Sequence, residues 1–237
     1  MMESKIAKHL RMDNQPVAVL WTDEMPASAV HFKEDRWGCV VARIKTASQG
    51  KIAAAANATT VCRGGKVGLG FHRHEPGRIE YFLSTGNDKM ERCEHYKKTP
   101  ELAWSAISNM PEIHAGKCMV FKPLSMVKDT EKPVCVIFMV NADQMSGLAT
   151  LANFDQEDTV VLRFASGCSQ AVLYPIAAEE NGEKTCYIGF TDPSVRKVID
   201  KEQLAFSIPY SRFLEIEQNA DESFFITDTW EFIQKRI

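Results

Sequence analysis

The chain has 237 residues, of which 45% are hydrophobic and 25% are charged, and its formal net charge is -3. These values are typical of a packed globular protein and unlike those of a disordered chain. The small negative charge offers no basic surface for a nucleic-acid backbone, and no block of Lys or Arg forms a membrane patch. We therefore expect neither nucleic acid nor a membrane among its partners.

The N-terminal apolar run at 17–21 is too short for a signal peptide, and no later stretch is long enough to span a membrane. We expect a cytoplasmic protein. Its seven cysteines are odd in number and irregularly spaced, which disfavours a disulfide framework. In a reducing compartment, thiols that do not simply fill the core are candidate ligands or nucleophiles.

In the first half, the sequence predicts helices and strands separated by polar turns. In chain order they are a helix at 4–12, a buried strand at 17–21, a loop at 22–33, a helix from 37 to about 50, and a strand or continued helix at 51–56. The middle of the chain predicts a strand at 79–84, helices at 90–97 and 101–109, and a strand at 117–121.

The second half again starts with a buried apolar strand, at 133–140. It continues with a helix at 143–152, a strand at 159–164, a helix from Gly167 that stops at Pro175, a strand at 184–190, a capped helix at 193–199, a strand at 204–208, a helix to about 219 and a terminal helix at 228–237. This alternation predicts an α/β protein, with α+β as the alternative, built of mixed sheets with flanking helices.

The order of a Pro-Val strand, a Gly-Cys helix, a strand and a further helix occurs twice. The matching pairs are Pro16 with Pro133, Cys39 with Cys168, and Arg63 with Arg196. We interpret the chain as one compact domain over 1–237 with an internal duplication, the related halves being 14–71 and 131–200 and a mixed insert lying at 72–130. A two-fold relation between the halves would place Cys39 and Cys168 at related positions.

Three cysteines, Cys39, Cys62 and Cys168, stand at glycine-marked helix starts. The positive end of the helix dipole is expected to lower the pKa of such a thiol and to favour the thiolate, which binds metals and attacks electrophiles. Thiolates from separate loops hold iron–sulfur clusters. Cys93 is the best candidate for a fourth ligand, whereas Cys118, Cys135 and Cys186 lie inside predicted strands, where packing is the simpler explanation.

Two other groups of residues offer alternatives. Arg63 and Arg196 near helix starts, with the glycines Gly64 and Gly65, could bind an anion or ligand, although surface ion pairs are the commoner fate of such arginines. Two pairs with i, i+2 spacing, His72 with His74 and Cys93 with His95, would suit zinc if each pair lay on one strand face. A solvated hairpin end is the competing interpretation.

Several short motifs together resemble one known family. They are Pro16-Val17-Ala18-Val19, Cys39-Val40-Val41-Ala42, Cys62-Arg63-Gly64-Gly65, Gly68-Leu69-Gly70, Phe121-Lys122-Pro123-Leu124, Gly167-Cys168, Asp192-Pro193-Ser194-Val195-Arg196 and Ile208-Pro209. In this order they resemble the domain of unknown function 169, a family common in anaerobic bacteria and archaea. The resemblance implies a shared fold and a family pattern that includes the thiols at positions 39, 62 and 168. It implies no substrate. Asp192-Pro193-Ser194 stands where a glycine-rich turn is expected, which disfavours anion binding by that loop.

Three functions remain open from the sequence. The first is a protein that binds an iron–sulfur cluster or a metal through Cys39, Cys62, Cys168 and Cys93. The second is a thiol-dependent enzyme, and the third a small-molecule binding protein whose cysteines line a pocket between the halves. Whether the protein is an enzyme is undecided. For all three functions we expect a small molecule or a redox partner as the binding partner. A homo-oligomer is compatible with the sequence.

Overall fold

The computed structural model describes residues 3–32, 38–60, 62–90 and 92–237. The chain divides into two compact units: unit 1 comprises Met1–Phe71 with Ile113–Ile237, and unit 2 comprises His72–Glu112. Unit 2 begins at the first residue of the predicted insert 72–130. The remainder of that insert belongs to unit 1.

Seven strands in the described ranges form one sheet in unit 1. They are β1 (Val17–Thr22), β2 (Ala53–Ala56), β3 (Cys118–Pro123), β4 (Cys135–Val140), β5 (Leu162–Phe164), β6 (Cys186–Gly189) and β7 (Leu204–Pro209), in the order β2-β3-β1-β4-β7-β6-β5. Neighbouring strands are antiparallel except β5 and β6, which are parallel and joined through a helix.

The α-helices within the described residues have the following bounds. They are α1 (Lys5–His9), α2 (Val40–Ser48), α3 (Arg63–Gly68), α4 (Ile79–Leu83), α5 (Pro100–Ser108), α6 (Ala142–Asn153), α7 (Gln170–Asn181), α8 (Pro193–Arg196), α9 (Tyr210–Asn219) and α10 (Asp228–Gln234). Helices α4 and α5 belong to unit 2, and the others to unit 1. A mixed sheet with flanking helices confirms the predicted α/β class. No helix among these is both long and apolar enough to cross a bilayer.

The central strands explain the continuous apolar runs seen in the sequence. Successive side chains of a strand point to opposite faces, so Val17 and Val19 of β1 enter one core cluster while Ala18 and Leu20 enter the other. Helices α2 and α7 cover the first face, and α1, α6, α9 and α10 cover the second. Both faces are therefore buried, which is why β1 and β4 lack the alternation of a half-exposed strand.

On each side of the central β1–β4 pair, the next two strands of the sheet pair in antiparallel orientation. Strand β3 lies between β1 and β2, and β7 lies between β4 and β6, with every one of these pairings antiparallel. Strand β3 comes from the predicted insert 72–130, so this part of the insert belongs to the sheet. The internal duplication itself stays a prediction.

Two local predictions were wrong for identifiable reasons. The segment predicted as a strand at 79–84 is α4, whose first turn is stabilised by the carboxylate of Glu80, which accepts hydrogen bonds from the backbone N–H groups of Gly77 and Arg78 at 2.6 and 3.1 Å. The predicted helix at 90–97 is absent from its described residues, 90 and 92–97. His95 has φ of 52°, a left-handed conformation that a right-handed helix excludes.

Helix α7 passes through Pro175 instead of ending there. An internal proline removes one backbone hydrogen bond and crowds the preceding turn. The residues that follow it, Ile176, Ala177 and Ala178, are buried, and this packing offsets the local cost. The helix ends at Gly182, whose φ of 68° suits a glycine cap.

Candidate functional site

Three cysteines of unit 1 lie at the N-termini of three different helices. Cys39 is the N-cap of α2, Cys62 is the N-cap of α3, and Cys168 directly precedes Ser169, the N-cap of α7. All three side chains are partly buried and none forms a disulfide. The prediction that these thiols stand at helix starts is therefore confirmed.

Backbone N–H groups from two helices act on the thiol of Cys62. The N–H of Gly65 donates to Cys62 Sγ at 3.4 Å, closing the first turn of α3. The backbone N–H groups of Gly64 and of Val40, in the first turn of α2, also act to lower the pKa of this thiol. Donors in this arrangement favour a negatively charged sulfur.

Close approach between α3 and its neighbours accounts for two of its glycines. A Cβ atom at Gly65 would lie 2.4 Å from Val40 Cγ2, and one at Gly68 would lie 1.9 Å from Ser169 Cβ. Residue 65 therefore sits against α2 and residue 68 against the start of α7. Because both contacts need a missing side chain, these glycines allow α3 to pack closely against the starts of α2 and α7.

A hydrogen bond and a sulfur contact join α3 to α7 at the same place. Ser169 Oγ donates to the carbonyl oxygen of Gly64 at 2.8 Å. A Cβ at Gly64 would lie 4.0 Å from Cys168 Sγ, an ordinary van der Waals contact. Cys168 is therefore next to the turn that begins with Cys62.

The electrostatics show that the three thiols interact. Burial raises the pKa of Cys62, and a negative charge on Cys39 raises it further, while its three N–H donors oppose the shift. Burial also raises the pKa of Cys168 to about 12, with smaller contributions from charge on Cys62, Asp192 and Cys39. The expectation of lowered pKa values is thus wrong for Cys62 and Cys168, because desolvation outweighs the helix N-termini.

The residues predicted to bind an anion have different surroundings. Arg63 is exposed at the first position of α3, next to the thiols, and the N–H groups of Gly64 and Gly65 act to lower the pKa of Cys62. The guanidinium of Arg196 donates to backbone carbonyl oxygens of its own loop, those of Phe190 at 3.5 Å, Lys201 at 2.5 Å and Gln203. These bonds tie the loop after β6 to the loop before β7.

Cys93 lies in unit 2, in an irregular segment, and its Sγ is 3.2 Å from Nε2 of His95. The two residues meet as their i, i+2 spacing suggested, although no strand carries them. Among the residues described by the structure, no group of three or more His, Cys, Asp or Glu side chains could hold a metal ion. Neither the zinc ligands suggested at His72, His74, Cys93 and His95 nor the predicted metal ligands Cys39, Cys62, Cys168 and Cys93 form such a group there.

The other cysteines occupy the core, as predicted. Cys118, Cys135 and Cys186 lie in β3, β4 and β6, are at most 2% exposed, and have raised pKa values, chiefly because of burial. Such thiols are inert toward reagents in solution.

Sequence reasoning missed the contacts that connect the three thiols. Neither the N–H of Val40 nor the hydroxyl of Ser169 was expected to take part. One signal was available, since Gly65 and Gly68 are three residues apart on a short helix and leave it without bulky side chains on that side.

The fold and the site define an α/β protein with three thiols gathered where the N-termini of three helices meet. The family model of the domain of unknown function 169, described as an uncharacterised ArCR, matches residues 5–219, so the chain belongs to this family. The matched range contains all three cysteines. Neither a curated protein nor a solved structure matches the chain.

Proposed function

We propose that this protein binds an iron–sulfur cluster through the thiolates of Cys39, Cys62 and Cys168. One observation carries the proposal: three cysteines from separate segments stand at the N-termini of helices that pack closely against one another. A single nucleophile would need only one of them. The proposed ligands all belong to unit 1, and no role is assigned to Cys93.

The chemistry of the donor set fits such a cluster. Cysteine thiolates are its usual protein ligands, and hydrogen bonds to the sulfurs tune its potential. The N–H of Gly65 donates to Cys62 Sγ, and the N–H groups of Val40 and Gly64 also act to lower the pKa of this thiol. When bound, a cluster would supply electron transfer or a Lewis-acidic iron.

Burial disfavours the thiolate form of Cys62 and Cys168 when no metal is bound. The raised pKa values of Cys62 and Cys168 keep them protonated near neutral pH. Binding iron requires each thiol to release its proton to solvent, and the charge of the metal then compensates the buried sulfur. We therefore expect loading to become more favourable as the pH rises.

A cluster suits this site better than a single ion. A single zinc ion needs every sulfur at about 2.3 Å from one metal atom, and the described residues offer no group that could hold an ion in this way. In a cluster the ligands are divided among several iron atoms. The thiols can then be neighbours without converging on one point.

The test is to purify the full-length chain without oxygen, reconstitute it with iron and sulfide, and measure bound iron, bound sulfide, visible absorbance and electron paramagnetic resonance after reduction. We expect a brown protein whose absorbance dithionite bleaches. Cys62→Ser and Cys168→Ser should lose most of the bound iron. Cys118→Ala is the matched control, because this thiol is buried in β3 and should leave the iron content unchanged.

Two results would overturn the proposal. One is a reconstituted wild-type protein that stays colourless and free of iron. The other is iron that survives in Cys62→Ser and Cys168→Ser as fully as in Cys118→Ala, since it would then be bound elsewhere.

The raised pKa values favour a second candidate function, a small-molecule binding site lined by neutral thiols. Arg63, exposed beside Cys62, would provide the charge for an anionic ligand. In that case Cys168→Ala changes stability but not ligand affinity. A thiol-dependent enzyme, in contrast, requires one of the three cysteines to be alkylated much faster than the others.

A further inference from the structure

Unit 2 contains a pair of reactive side chains outside the three-thiol site. Cys93 Sγ lies 3.2 Å from His95 Nε2, within hydrogen-bond reach for sulfur. Cys93 is partly exposed and His95 is exposed. A thiol in contact with a solvent-exposed imidazole has a neighbouring general base and is accessible to reagents in solution.

The backbone around this pair holds it in place. The N–H of Glu94 donates to the carbonyl oxygen of Phe82 at 2.7 Å, and the N–H of Lys97 donates to that of Leu83 at 2.9 Å. Both bonds attach the segment to the C-terminal end of α4. The pair is thus positioned by main-chain bonds on both sides of His95.

Two left-handed residues allow the contact between thiol and imidazole. His95 has φ of 52°, which turns its ring back toward the residue two positions earlier. Gly86 has φ of 72°, and a Cβ there would lie 3.3 Å from Cys93 Sγ. The sulfur therefore rests against a turn that has no side chain to cover it.

We propose that Cys93 and His95 form a thiol–imidazole dyad that undergoes exchange with small disulfides. His95 Nε2 accepts the proton of Cys93 Sγ, and the thiolate attacks one sulfur of the disulfide. The disulfide S–S bond breaks as the new one forms, and the departing thiolate takes the proton from His95. Cys93 is oxidised to a mixed disulfide with one half of the small disulfide. The other half is reduced and leaves as a thiol.

Within the described ranges, Cys93 is the cysteine whose sulfur lies within hydrogen-bond reach of an imidazole. Cys135 and Cys186 are buried in the sheet, and Cys168 sits at the junction of α3 and α7.

The test uses the full-length, cluster-free protein and two probes, oxidised glutathione and 5,5′-dithiobis-(2-nitrobenzoate). Mass spectrometry of peptides identifies the modified cysteine, and released thiol gives the rate. We expect Cys93 to react at least tenfold faster than any other cysteine.

Replacing His95 tests the role of the imidazole. His95→Asn suits the purpose because asparagine also tolerates the left-handed backbone, so the change removes the base with little strain. Exchange at Cys93 should slow at least tenfold in His95→Asn. It should stay unchanged in His72→Asn, a matched substitution of an exposed histidine in the same unit.

Equal rates in His95→Asn and wild type would overturn the proposal, and so would a Cys93 that reacts no faster than Cys39 or Cys62. Circular dichroism of both variants shows whether unit 2 remains folded. The result is independent of iron binding, because the assay contains no cluster and the dyad includes none of the three proposed ligands.

Discussion

Ser169 donates its hydroxyl hydrogen to the carbonyl oxygen of Gly64 at 2.8 Å and so joins the start of α7 to the first turn of α3. The two residues are far apart in the sequence, yet Ser169 directly follows Cys168 and Gly64 lies two residues after Cys62. This bond, with the close contact between Gly68 and Ser169, sets the position of Cys168 relative to Cys62.

Ser169→Ala removes this bond and leaves the carbonyl of Gly64 without its hydroxyl donor. We expect the free energy of unfolding to fall by about 1 kcal/mol, measured by urea denaturation. Iron retained after reconstitution should also fall. Ser194→Ala, an exposed serine of α8, is the control and should change neither quantity.

Gly68→Ala should destabilise the protein by roughly 1–3 kcal/mol, since the new methyl group overlaps Ser169 and neither helix can move freely. Gly64→Ala is a matched change in the same helix with room for the methyl group. It should be neutral or slightly stabilising, because alanine favours a helix over glycine. Similar losses from both substitutions in thermal unfolding would contradict the close-contact argument.

The buried thiol of Cys168 predicts a loss of stability at alkaline pH. Its pKa in the folded protein is raised to about 12, whereas a thiol in the unfolded chain ionises near about 8.5. The stabilisation is therefore complete below the unfolded pKa and is lost as the pH rises between these values. Under reducing conditions, we expect the wild type to lose about 1–2 kcal/mol more than Cys168→Ala between pH 7 and pH 10. Parallel pH profiles for the two proteins would exclude this explanation.

An ion pair between Arg212 and Asp155 on the other face of the sheet predicts a loss of stability at acidic pH. The Arg212 guanidinium, 1% exposed, donates to both carboxylate oxygens of Asp155 at 2.8 and 2.5 Å and to Glu215 at 2.7 Å. It holds the pKa of Asp155 well below its usual range. This stabilisation is present above about pH 4 and is lost as the pH falls through the folded pKa.

Asp155→Asn should lower the free energy of unfolding at pH 7 by about 3 kcal/mol, because it leaves the buried guanidinium with a weaker partner. The variant should also show a smaller further loss than the wild type when the pH is lowered from 5 to 3. Asp129→Asn, a change at an exposed aspartate, provides the comparison in the same denaturation assay. An Asp155→Asn protein as stable as Asp129→Asn would show that the ion pair contributes nothing net.

Local sequence features determined many of the elements. Unbroken apolar runs predicted β1 and β4, and Asp192 before Pro193 predicted the cap of α8, where its carboxylate accepts from the N–H of Ser194. The helix predicted at 143–152 corresponds to α6. These predictions succeed because strand burial and helix capping depend on residues within a few positions of each other.

Where local sequence preferences and tertiary packing favour different structures, tertiary packing decided which structure forms. Pro175 was expected to end a helix, but the buried residues after it keep α7 intact. Strand β3 takes its place between β1 and β2 by pairing with residues from 62 to 106 positions away, which no local pattern reveals.

The sequence by itself determined that Cys39, Cys62 and Cys168 stand at helix starts. Only the tertiary structure decided that the three starts meet, because this depends on α2 and α7 burying their apolar sides on the same sheet face and on α3 packing closely against both. It also decided the protonation of Cys62 and Cys168, since burial depends on neighbours from distant segments and here outweighs the helix termini.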